Sequence, residues 1–305
     1  MTTLRFRAKA LRRLLVLWLW LGCTCQPSFA EPQQEIDETF NFSVTRNIPY
    51  VPAKLDQAVN KLQILDIYRP VGAESSPVIL YIHGGGWAFG DKKDVHYKPH
   101  YFTRNGFAFV SMNYRLHWDY KVYDELVDII SAIAWINQEG ASHGLDSSRV
   151  VLMGHAAGAH LSSLVVADPS YLLAENMTAE NIKAVIAIDS SSYDILRLMK
   201  ELGSFVERRQ HELIFGGDQN VWKAASPIHH VMKGKSLPPF AIIYDLSLDA
   251  STLQAKGFAK RLAEADVPVI MIPGLEDSKT RTNELIGTAG NVTTGALMAF
   301  LRSQI

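Results

Sequence analysis

The alternation of short apolar segments with amphipathic helical segments constrains the fold of this chain more than any other feature. Residues 77–83 form a continuous apolar run, which is typical of a strand buried on both faces of a parallel sheet. Because strands and helices alternate, the sequence predicts βαβ units, and hence an α/β fold with a mainly parallel sheet flanked by helices. The other predicted strands are 108–113, 150–153, 182–189, 239–244 and 267–272, and the best helices are 123–138, 156–166, 253–264 and 293–301.

The predicted domain spans residues 61–305. Its first strand, residues 61–68, partly alternates between apolar and polar side chains, as a half-buried edge strand does. The preceding residues, 31–60, are polar with scattered prolines and are predicted to form a loosely structured N-terminal arm. Residues 168–238 contain one predicted strand and otherwise helix or loop, so we expect them to include a small cap over the functional face of the sheet.

The N-terminus has the pattern of a secretory signal peptide over residues 1–30. Basic residues precede the apolar run 14–21, and Ser28 and Ala30 provide the small residues of a cleavage site. A membrane anchor is the alternative, but this run is far shorter than the roughly 20 residues that cross a bilayer. We therefore expect an exported protein, periplasmic or secreted, that is cleaved after Ala30 and has no transmembrane segment in the mature chain.

Both cysteines, Cys23 and Cys25, lie within this N-terminal segment. Lipoprotein anchoring at Cys23 is the alternative to cleavage after Ala30, because a glycine precedes Cys23. Against it, Trp20 stands where such signals usually carry a small aliphatic residue. Cleavage after Ala30 would leave a mature protein without cysteines, which would exclude disulfides, thiolate catalysis and cysteine metal sites.

The composition argues against a nucleic-acid partner and against disorder. The 30 Lys and Arg residues are balanced by 31 Asp and Glu residues, so the chain has no basic field of the kind that attracts nucleic acid. With 48% hydrophobic residues, a chain of 305 residues can bury a large core. No sequence pattern indicates a cofactor.

One turn motif directs attention to a possible site. The predicted strand 150–153 runs into Gly154-His155-Ala156-Ala157-Gly158 and then into a predicted helix. This order of strand, turn and helix is the setting of the nucleophile elbow, in which G-x-S-x-G holds a serine on a strained turn. The two glycines fit that turn because it leaves no room for larger side chains. The residue in the middle, however, is Ala156 rather than serine.

From about residue 61 onward the chain resembles the α/β-hydrolase carboxylesterases, in the group related to hormone-sensitive lipase and the small feruloyl-esterase-like enzymes. The resemblance implies an α/β-hydrolase fold and an ancestry in carboxylic-ester hydrolysis. It rests on residues 81–87, 113–116, Asp128 with Trp135, 154–160, 215–217, 226–227 and 238–240.

The resemblance also implies an oxyanion hole. In the family, an H-G-G-G motif supplies backbone N–H groups, assisted by the residue after the nucleophile. Here His83, Gly84, Gly85 and Gly86 follow a predicted buried strand, and Ala157 follows Ala156. The donors carried over are the amides of Gly84, Gly85 and Ala157. Because main-chain atoms stabilise an oxyanion, alanine at the nucleophile position does not remove them.

The base and acid of the family triad are less well preserved. Asp277 stands after a Pro-Gly turn where the family has its histidine, and a carboxylate does not relay a serine proton as imidazole does at neutral pH. For the acid, Asp245 and Asp249 are both candidates. We favour Asp249 because it lies closer to the predicted helix near residue 253.

The remaining histidines and serines are interpreted as structural. His155 and His160 flank the turn, and no standard metal-ligand spacing occurs among the loop residues, so no metal site is expected. Candidate replacement nucleophiles lack a positioned base and are expected to form local hydrogen bonds. The loop residues are His96, His100, His117, Asp91, Asp94 and Asp119, and the serines are Ser162, Ser163 and Ser190 to Ser192.

The sequence therefore predicts an exported pseudoenzyme that keeps the ester pocket and binds a small ester- or carboxylate-bearing ligand. The alternative is a hydrolase or lyase-type enzyme that uses Asp277, Glu276 or Asp249 as acid or base without a serine nucleophile. An engineered substitution at Ala156 is a third interpretation, but it would not explain Asp277 as well.

Overall fold

A nine-stranded sheet forms the centre of the described part of the chain in the computed structural model. The structure describes residues 34–37, 42–52, 61–117, 119–246, 249–274 and 279–305. The predicted signal peptide, with Cys23 and Ala30, lies outside the described residues. So does the turn that contains Glu276 and Asp277.

The strands are β1 (Gln34–Asp37), β2 (Phe42–Pro49), β3 (Ile64–Pro70), β4 (Ser76–Ile82), β5 (Ala108–Met112), β6 (Leu145–His155), β7 (Ile182–Ile188), β8 (Phe240–Asp245) and β9 (Val269–Gly274). The helices are α1 (Lys98–Arg104), α2 (Val122–Glu139), α3 (Ala157–Ala167), α4 (Pro169–Leu173), α5 (Ile195–Glu201), α6 (Phe205–Phe215), α7 (Gln219–Ala224), α8 (Pro227–His230), α9 (Asp249–Glu264), α10 (Lys279–Leu285) and α11 (Val292–Gln304). The strand order in the sheet is β1-β2-β3-β5-β4-β6-β7-β8-β9.

Most of the sheet is parallel. β5, β4, β6, β7, β8 and β9 pair in parallel, whereas β1, β2 and β3 join the sheet through antiparallel pairs. The predicted α/β class, with a mainly parallel sheet flanked by helices, is confirmed. Since the parallel strands share one direction, their carboxyl ends meet at the same edge of the sheet, and the turns that follow them lie near each other.

The core consists of two apolar layers, one on each face of the sheet. Val78, Leu80 and Ile82 of β4 pack in one layer with α2, α3 and α9. Ile79 and Tyr81 point to the opposite layer, which includes side chains of α1 and α11. This two-residue period explains why the apolar run in β4 is continuous, since a strand covered on both faces needs apolar side chains on both.

The prediction that residues 31–60 form a loosely structured arm is wrong for β1 and β2, which belong to the sheet. A bulge between Thr45 and Ile48 interrupts the alternation, so that Phe42 and Val44 pack in one layer and Ile48 in the other. Such a change of face hides a strand from a search for strict alternation. β3 consequently lies between β2 and β5, so the prediction of an edge strand at 61–68 is also wrong.

Two other boundaries differ from the sequence-based ones. β6 begins at Leu145, five residues before the apolar run that starts at Val150, because Leu145 and Asp146 still pair with Ser76 and Pro77 of β4. α9 begins at Asp249 rather than near residue 253. The segment 168–238 contains β7 together with the helices α4 to α8, in agreement with one strand and otherwise helix or loop. Among the described helices, none is both long and apolar enough to cross a membrane.

Candidate functional site

Ala156 occupies the sharp turn between β6 and α3. Its backbone has φ 48° and ψ −110°, a conformation that is strained for a residue with a Cβ. Two hydrogen bonds hold the turn: the Ala156 amide donates to Ile188 O at 2.8 Å, and Ala156 O accepts from the His160 amide at 3.1 Å. The side chain at this position is a methyl group, which offers neither a nucleophile nor a hydrogen bond.

The glycines on either side of Ala156 are required by close backbone contacts. A Cβ on Gly154 would overlap the carbonyl oxygen of Gly158, and a Cβ on Gly158 would overlap the carbonyl oxygen of Ile82. The expectation that the turn has no room for larger side chains is confirmed. β4 and the start of α3 can approach this closely only because both positions lack a side chain.

The loop after β4 passes directly beside this turn. A Cβ placed on Gly84 would lie 3.3 Å from the Cβ of Ala156, and Gly85 has φ +118°, which favours glycine. Among the described residues, no protein acceptor receives a hydrogen bond from the amides of Gly84, Gly85, Gly86 or Ala157. The amides of Gly84 and Ala157 thus remain available next to Ala156, and those of Gly85 and Gly86 remain available beside the cavity described below.

His83 holds this loop in place through its side chain and its backbone carbonyl. It is buried, its Nδ1 lies 2.7 Å from Gly84 O, and its ring stacks on Tyr114 with a centroid distance of 4.4 Å. The Tyr114 hydroxyl in turn donates to His83 O at 2.9 Å. Since a carbonyl only accepts, Nδ1 carries the hydrogen. Burial lowers the pKa of His83, which favours a neutral imidazole that holds the loop in place.

His160 joins the loop to the helices beyond it. Its Nδ1 accepts from the Trp87 indole N–H at 3.2 Å, and its Nε2 lies 2.7 Å from Ala225 O. Burial lowers the pKa of His160 to about 4. With both nitrogens satisfied, His160 has the structural role predicted for it. His155 packs against the same loop, since its Nδ1 would lie 2.7 Å from a Cβ on Gly84.

Of the two candidate acids, Asp245 is at the carboxyl end of β8 and is fully buried, and its backbone oxygen accepts from Thr252 Oγ1 at 2.8 Å. Asp249 is the first residue of α9, and its side chain lies outside the described atoms. Asp277 lies outside the described residues altogether. The preference for Asp249 over Asp245 therefore stays a prediction.

A third carboxylate, Asp189, was missed by the sequence reasoning. It follows β7 with φ 49°, is buried, and accepts a hydrogen bond from Ser251 Oγ at 2.5 Å. The preceding residue, Ile188, is the acceptor of the Ala156 amide, so Asp189 lies beside the turn. Its place at the end of a predicted strand was the available signal, because carboxyl ends of parallel strands gather at one edge.

A cavity of about 360 Å³ opens beside Gly85 and Gly86. Helix α6 forms one wall, and it is held there by Phe215, whose ring packs edge-to-face on Trp87 at 4.9 Å. A second cavity, of about 530 Å³, lies along the same helix and is lined by α2 and α7 as well. Leu213 and Ile214 line both cavities, so α6 separates them.

The other groups weighed in the sequence form local interactions. Ser162 and Ser163 donate to backbone carbonyls one turn earlier in α3, each at 2.7 Å. Asp91 and Asp94 accept from nearby backbone amides. Within the described ranges, no group of three or more His, Cys, Asp and Glu side chains could hold a metal ion. Of the loop histidines, His117 lines the cavity beside Gly85.

Comparisons with known proteins agree on the family. The family model described as BD-FAE matches residues 65–250. Esterase LipC of Mycobacterium tuberculosis is 27% identical over 232 residues, which cover 70% of this chain and 56% of that protein. An arylesterase of Saccharolobus solfataricus is 23% identical over 254 residues, covering 78% and 80%. The chain spans about half the length of the first curated relatives it matches.

Solved structures show the same fold. The inhibited esterase B of Lactobacillus rhamnosis superposes with a TM-score of 0.73, covering 89% of both chains at 21% identity. A thermophilic esterase of Thermogutta terrifontis superposes with a TM-score of 0.61 at 24% identity, covering 91% of this chain and 96% of that one.

Proposed function

Because the chain belongs to the BD-FAE family of esterase-like α/β-hydrolases, we propose that it is an exported, non-catalytic member that binds an ester- or carboxylate-bearing ligand. The amides of Gly84, Gly85 and Ala157 would receive the carbonyl or carboxylate oxygen of that ligand, as an oxyanion hole does. His83 and Gly86 would keep the loop in its shape. The cavity beside Gly85 would hold the rest of the ligand.

The observation that supports this proposal most directly is that residue 156 has only a methyl side chain although its backbone is in a strained conformation. A turn with φ 48° places the side chain of residue 156 beside Gly84, yet this side chain cannot attack an acyl carbon. Strain of this kind persists only where the surrounding structure enforces it. The backbone of the site is therefore retained while the atom that would form an acyl intermediate is absent.

The expected loss of activity is large. Removing the nucleophile or the base of a serine triad lowers the rate by several orders of magnitude, and removing both lowers it little further. Oxyanion stabilisation and binding alone supply roughly 10³- to 10⁴-fold over water. The purified protein should thus hydrolyse short acyl esters far more slowly than a carboxylesterase does.

Restoring the missing groups tests the proposal. We would compare the wild type with Ala156→Ser, Asp277→His and the double variant on p-nitrophenyl acetate and butyrate. We expect activity only in the double variant. The serine attacks an ester readily only when a base removes its proton, and the base alone has no nucleophile to activate. Ester hydrolysis by the wild type at carboxylesterase rates would refute the proposal. Gly85→Ala in the double variant is the control, since its Cβ would overlap the Phe89 carbonyl and disturb the loop.

Export has a separate test. The N-terminal pattern supports cleavage after Ala30, so fractionation of cells followed by N-terminal sequencing should find Glu31 as the first residue of the mature protein. A lipid-modified Cys23 in a membrane fraction would instead establish lipoprotein anchoring.

A second candidate function is acid–base chemistry without a covalent intermediate. The buried carboxyl groups of Asp189, after β7, and Asp245, at the end of β8, favour it, because a carboxyl group within reach of a ligand can act as a general acid or base. Asp249 and Asp277, with Glu276, are the residues that the sequence pattern offers for this role. If the wild type has a measurable activity that survives both Asp249→Asn and Asp277→Asn, this candidate is lost.

A further inference from the structure

A small cavity lies at the opposite end of β6 from the turn at Ala156. Its volume is about 90 Å³. The lining residues are Ser43, Thr45, Ile67, Arg69, Ser142 and His143. His143 precedes β6 by two residues and Ala156 directly follows it, and a strand of 11 residues spans roughly 35 Å. The cavity is therefore separate from the site around Ala156.

Four of the lining residues come from one face of β2 and β3. Ser43 pairs with Arg69, and Thr45 pairs with Ile67, and residues two apart on a strand share a face. The other two belong to the short 3₁₀ helix Gly140–His143, which comes before β6. Five of the six lining side chains carry a group that can donate a hydrogen bond, and none of the six carries a carboxylate.

Arg69 supplies the positive charge of this cavity. Its Nη1 donates to His143 O at 3.2 Å, and a Cβ on Gly144 would overlap the same nitrogen, so the guanidinium packs against the backbone of this turn. In the part of the chain that the structure describes, no carboxylate forms an ion pair with Arg69. A guanidinium has five N–H donors in a fixed fork that matches the oxygens of a phosphate or carboxylate. Most donors of this positioned cation are therefore left for a ligand.

The other polar groups of the cavity differ in how far they are engaged. Ser43 Oγ donates to Arg69 O at 3.4 Å, and Ser142 Oγ donates to Glu139 O at 2.7 Å. The Thr45 hydroxyl makes no hydrogen bond to any described residue. Burial lowers the pKa of His143, partly opposed by the Glu139 carboxylate, which does not line the cavity, so the neutral ring has one N–H to donate. Thr45 and His143 thus add donors to those of Arg69.

We propose that this cavity binds a tetrahedral oxyanion, either free phosphate or the phosphate group of a small phosphomonoester. A cation flanked by hydroxyl and imidazole donors, with no carboxylate in the lining, is complementary to an anion with several acceptor oxygens. The volume is far below the roughly 300–1,000 Å³ of pockets that hold a whole organic ligand, so it suits one ion or one group of a larger molecule. The bound oxyanion joins β2 and β3 to the helix before β6 and stabilises the folded protein.

Thermal unfolding at pH 8 in sodium phosphate and in sodium chloride of equal ionic strength tests this proposal. Phosphate at about ten times its dissociation constant should raise the unfolding temperature by about 2–4 °C relative to chloride. Arg69→Gln should abolish this shift. Thr45→Val keeps the shape of the side chain but removes the hydroxyl, and calorimetric titration should show about tenfold weaker phosphate binding, because a hydrogen bond to a charged group is worth about that much.

Arg149→Gln is the matched control. It also removes an arginine from a strand, but the Arg149 guanidinium already binds Asp146 at 2.6 Å, so this variant should keep the phosphate shift. Circular dichroism would show that each variant is folded. An equal shift in the wild type and in Arg69→Gln would overturn the proposal, because phosphate also stabilises proteins through its general exclusion from their surfaces. If Arg69→Gln does not fold, an unchanged phosphate affinity in Thr45→Val overturns it instead.

Glycerol 3-phosphate distinguishes the two sources of the oxyanion. Tighter binding of glycerol 3-phosphate than of phosphate would support a phosphomonoester as the ligand, and tighter binding of phosphate would support the free ion. Binding of neither in calorimetric titration would overturn the proposal. None of these results bears on the proposed function, because the cavity and Ala156 lie at opposite ends of β6.

Discussion

The turn at Ala156 and helix α6 lie on two sides of the loop that contains Gly84 and Trp87, and they are held in opposite ways. The turn is strained, half-buried at His155 and Ala156, and surrounded by backbone atoms that exclude any side chain at Gly158. Helix α6 begins with Phe205, which is 81% exposed, and is attached to the loop mainly through Phe215. The turn is therefore held by the core, whereas α6, one wall of the cavity beside Gly85, is attached mainly at its C-terminal end.

This difference suggests how such a fold changes its ligand without losing its donors. A substitution in α6 alters one wall of the cavity and leaves the core intact, because surface positions contribute little to stability. A substitution at the turn disturbs β4, β6 and α3 together. The predictions below test this contrast, beginning with the largest expected effect.

Gly158→Ala should destabilise the protein by at least about 4 kcal/mol or prevent folding, because its Cβ would overlap the carbonyl oxygen of Ile82, which belongs to a central strand. Urea unfolding followed by circular dichroism measures the change. Gly217→Ala, just after α6, is the control, since no atom lies within 4 Å of its Cβ, and it should change stability by less than about 0.5 kcal/mol. Equal losses of stability in Gly158→Ala and Gly217→Ala would show that the turn is no more sensitive to an added side chain than the end of α6.

Lys92→Met should cost about 3 kcal/mol, because it leaves the buried Asp66 carboxylate without its closest cation, 2.6 Å away. Lys92 also anchors the chain that follows the glycine loop, through its amide to Asn113 Oδ1 at 2.6 Å. On α6, Arg209→Ala removes an exposed ion pair with Glu212 and should change the unfolding free energy by less than about 0.5 kcal/mol. Comparable losses in the two variants would argue that α6 is as firmly held as the loop.

Lowering the pH should reduce the stability of the protein through protonation of His160, which joins the loop to the helices beyond it. Its pKa in the folded state, about 4, is below the ordinary value of 6.5, so between these values the unfolded state binds more protons. Stability is therefore fully present above pH 6.5 and falls as pH decreases toward 4, by about 2–3 kcal/mol from this group. Urea unfolding from pH 4 to 7 should show a smaller loss in His160→Gln. The same loss in both proteins would assign the effect to other groups.

Ala156→Gly should stabilise the protein by about 1 kcal/mol. Glycine relieves a strain of order 1–3 kcal/mol at φ 48°, and this gain exceeds the entropy that glycine adds to the unfolded chain. Thermal unfolding would measure the shift. A decrease in stability would mean that the methyl group of Ala156 packs more favourably than its backbone strain costs.

Much of the fold could be predicted because the relevant signals are local. The buried strands are recognisable as apolar runs, and the turn is recognisable from two glycines and the residues between them. β2 could not be predicted, because its bulge moves Ile48 to the opposite layer from Val44. Only the partner strands show that both faces are covered.

The site was predicted in part. The loop His83 to Gly86 lies beside Ala156 as the resemblance implied, whereas the roles of Asp249 and Asp277 stay predictions. Asp189 was missed because its partner Ser251 is 62 residues away in sequence.

The sequence by itself determined that this chain forms a mainly parallel α/β sheet, that its turn after β6 needs glycines, and that residue 156 has no nucleophilic atom. These properties belong to single residues or to short runs, whose chemistry does not depend on distant neighbours. The tertiary structure decided which groups surround that turn: the Trp87 to His160 hydrogen bond spans 73 residues, and α6 reaches the loop through Phe215. Such contacts arise only when the chain is packed, because they join segments that no local pattern relates.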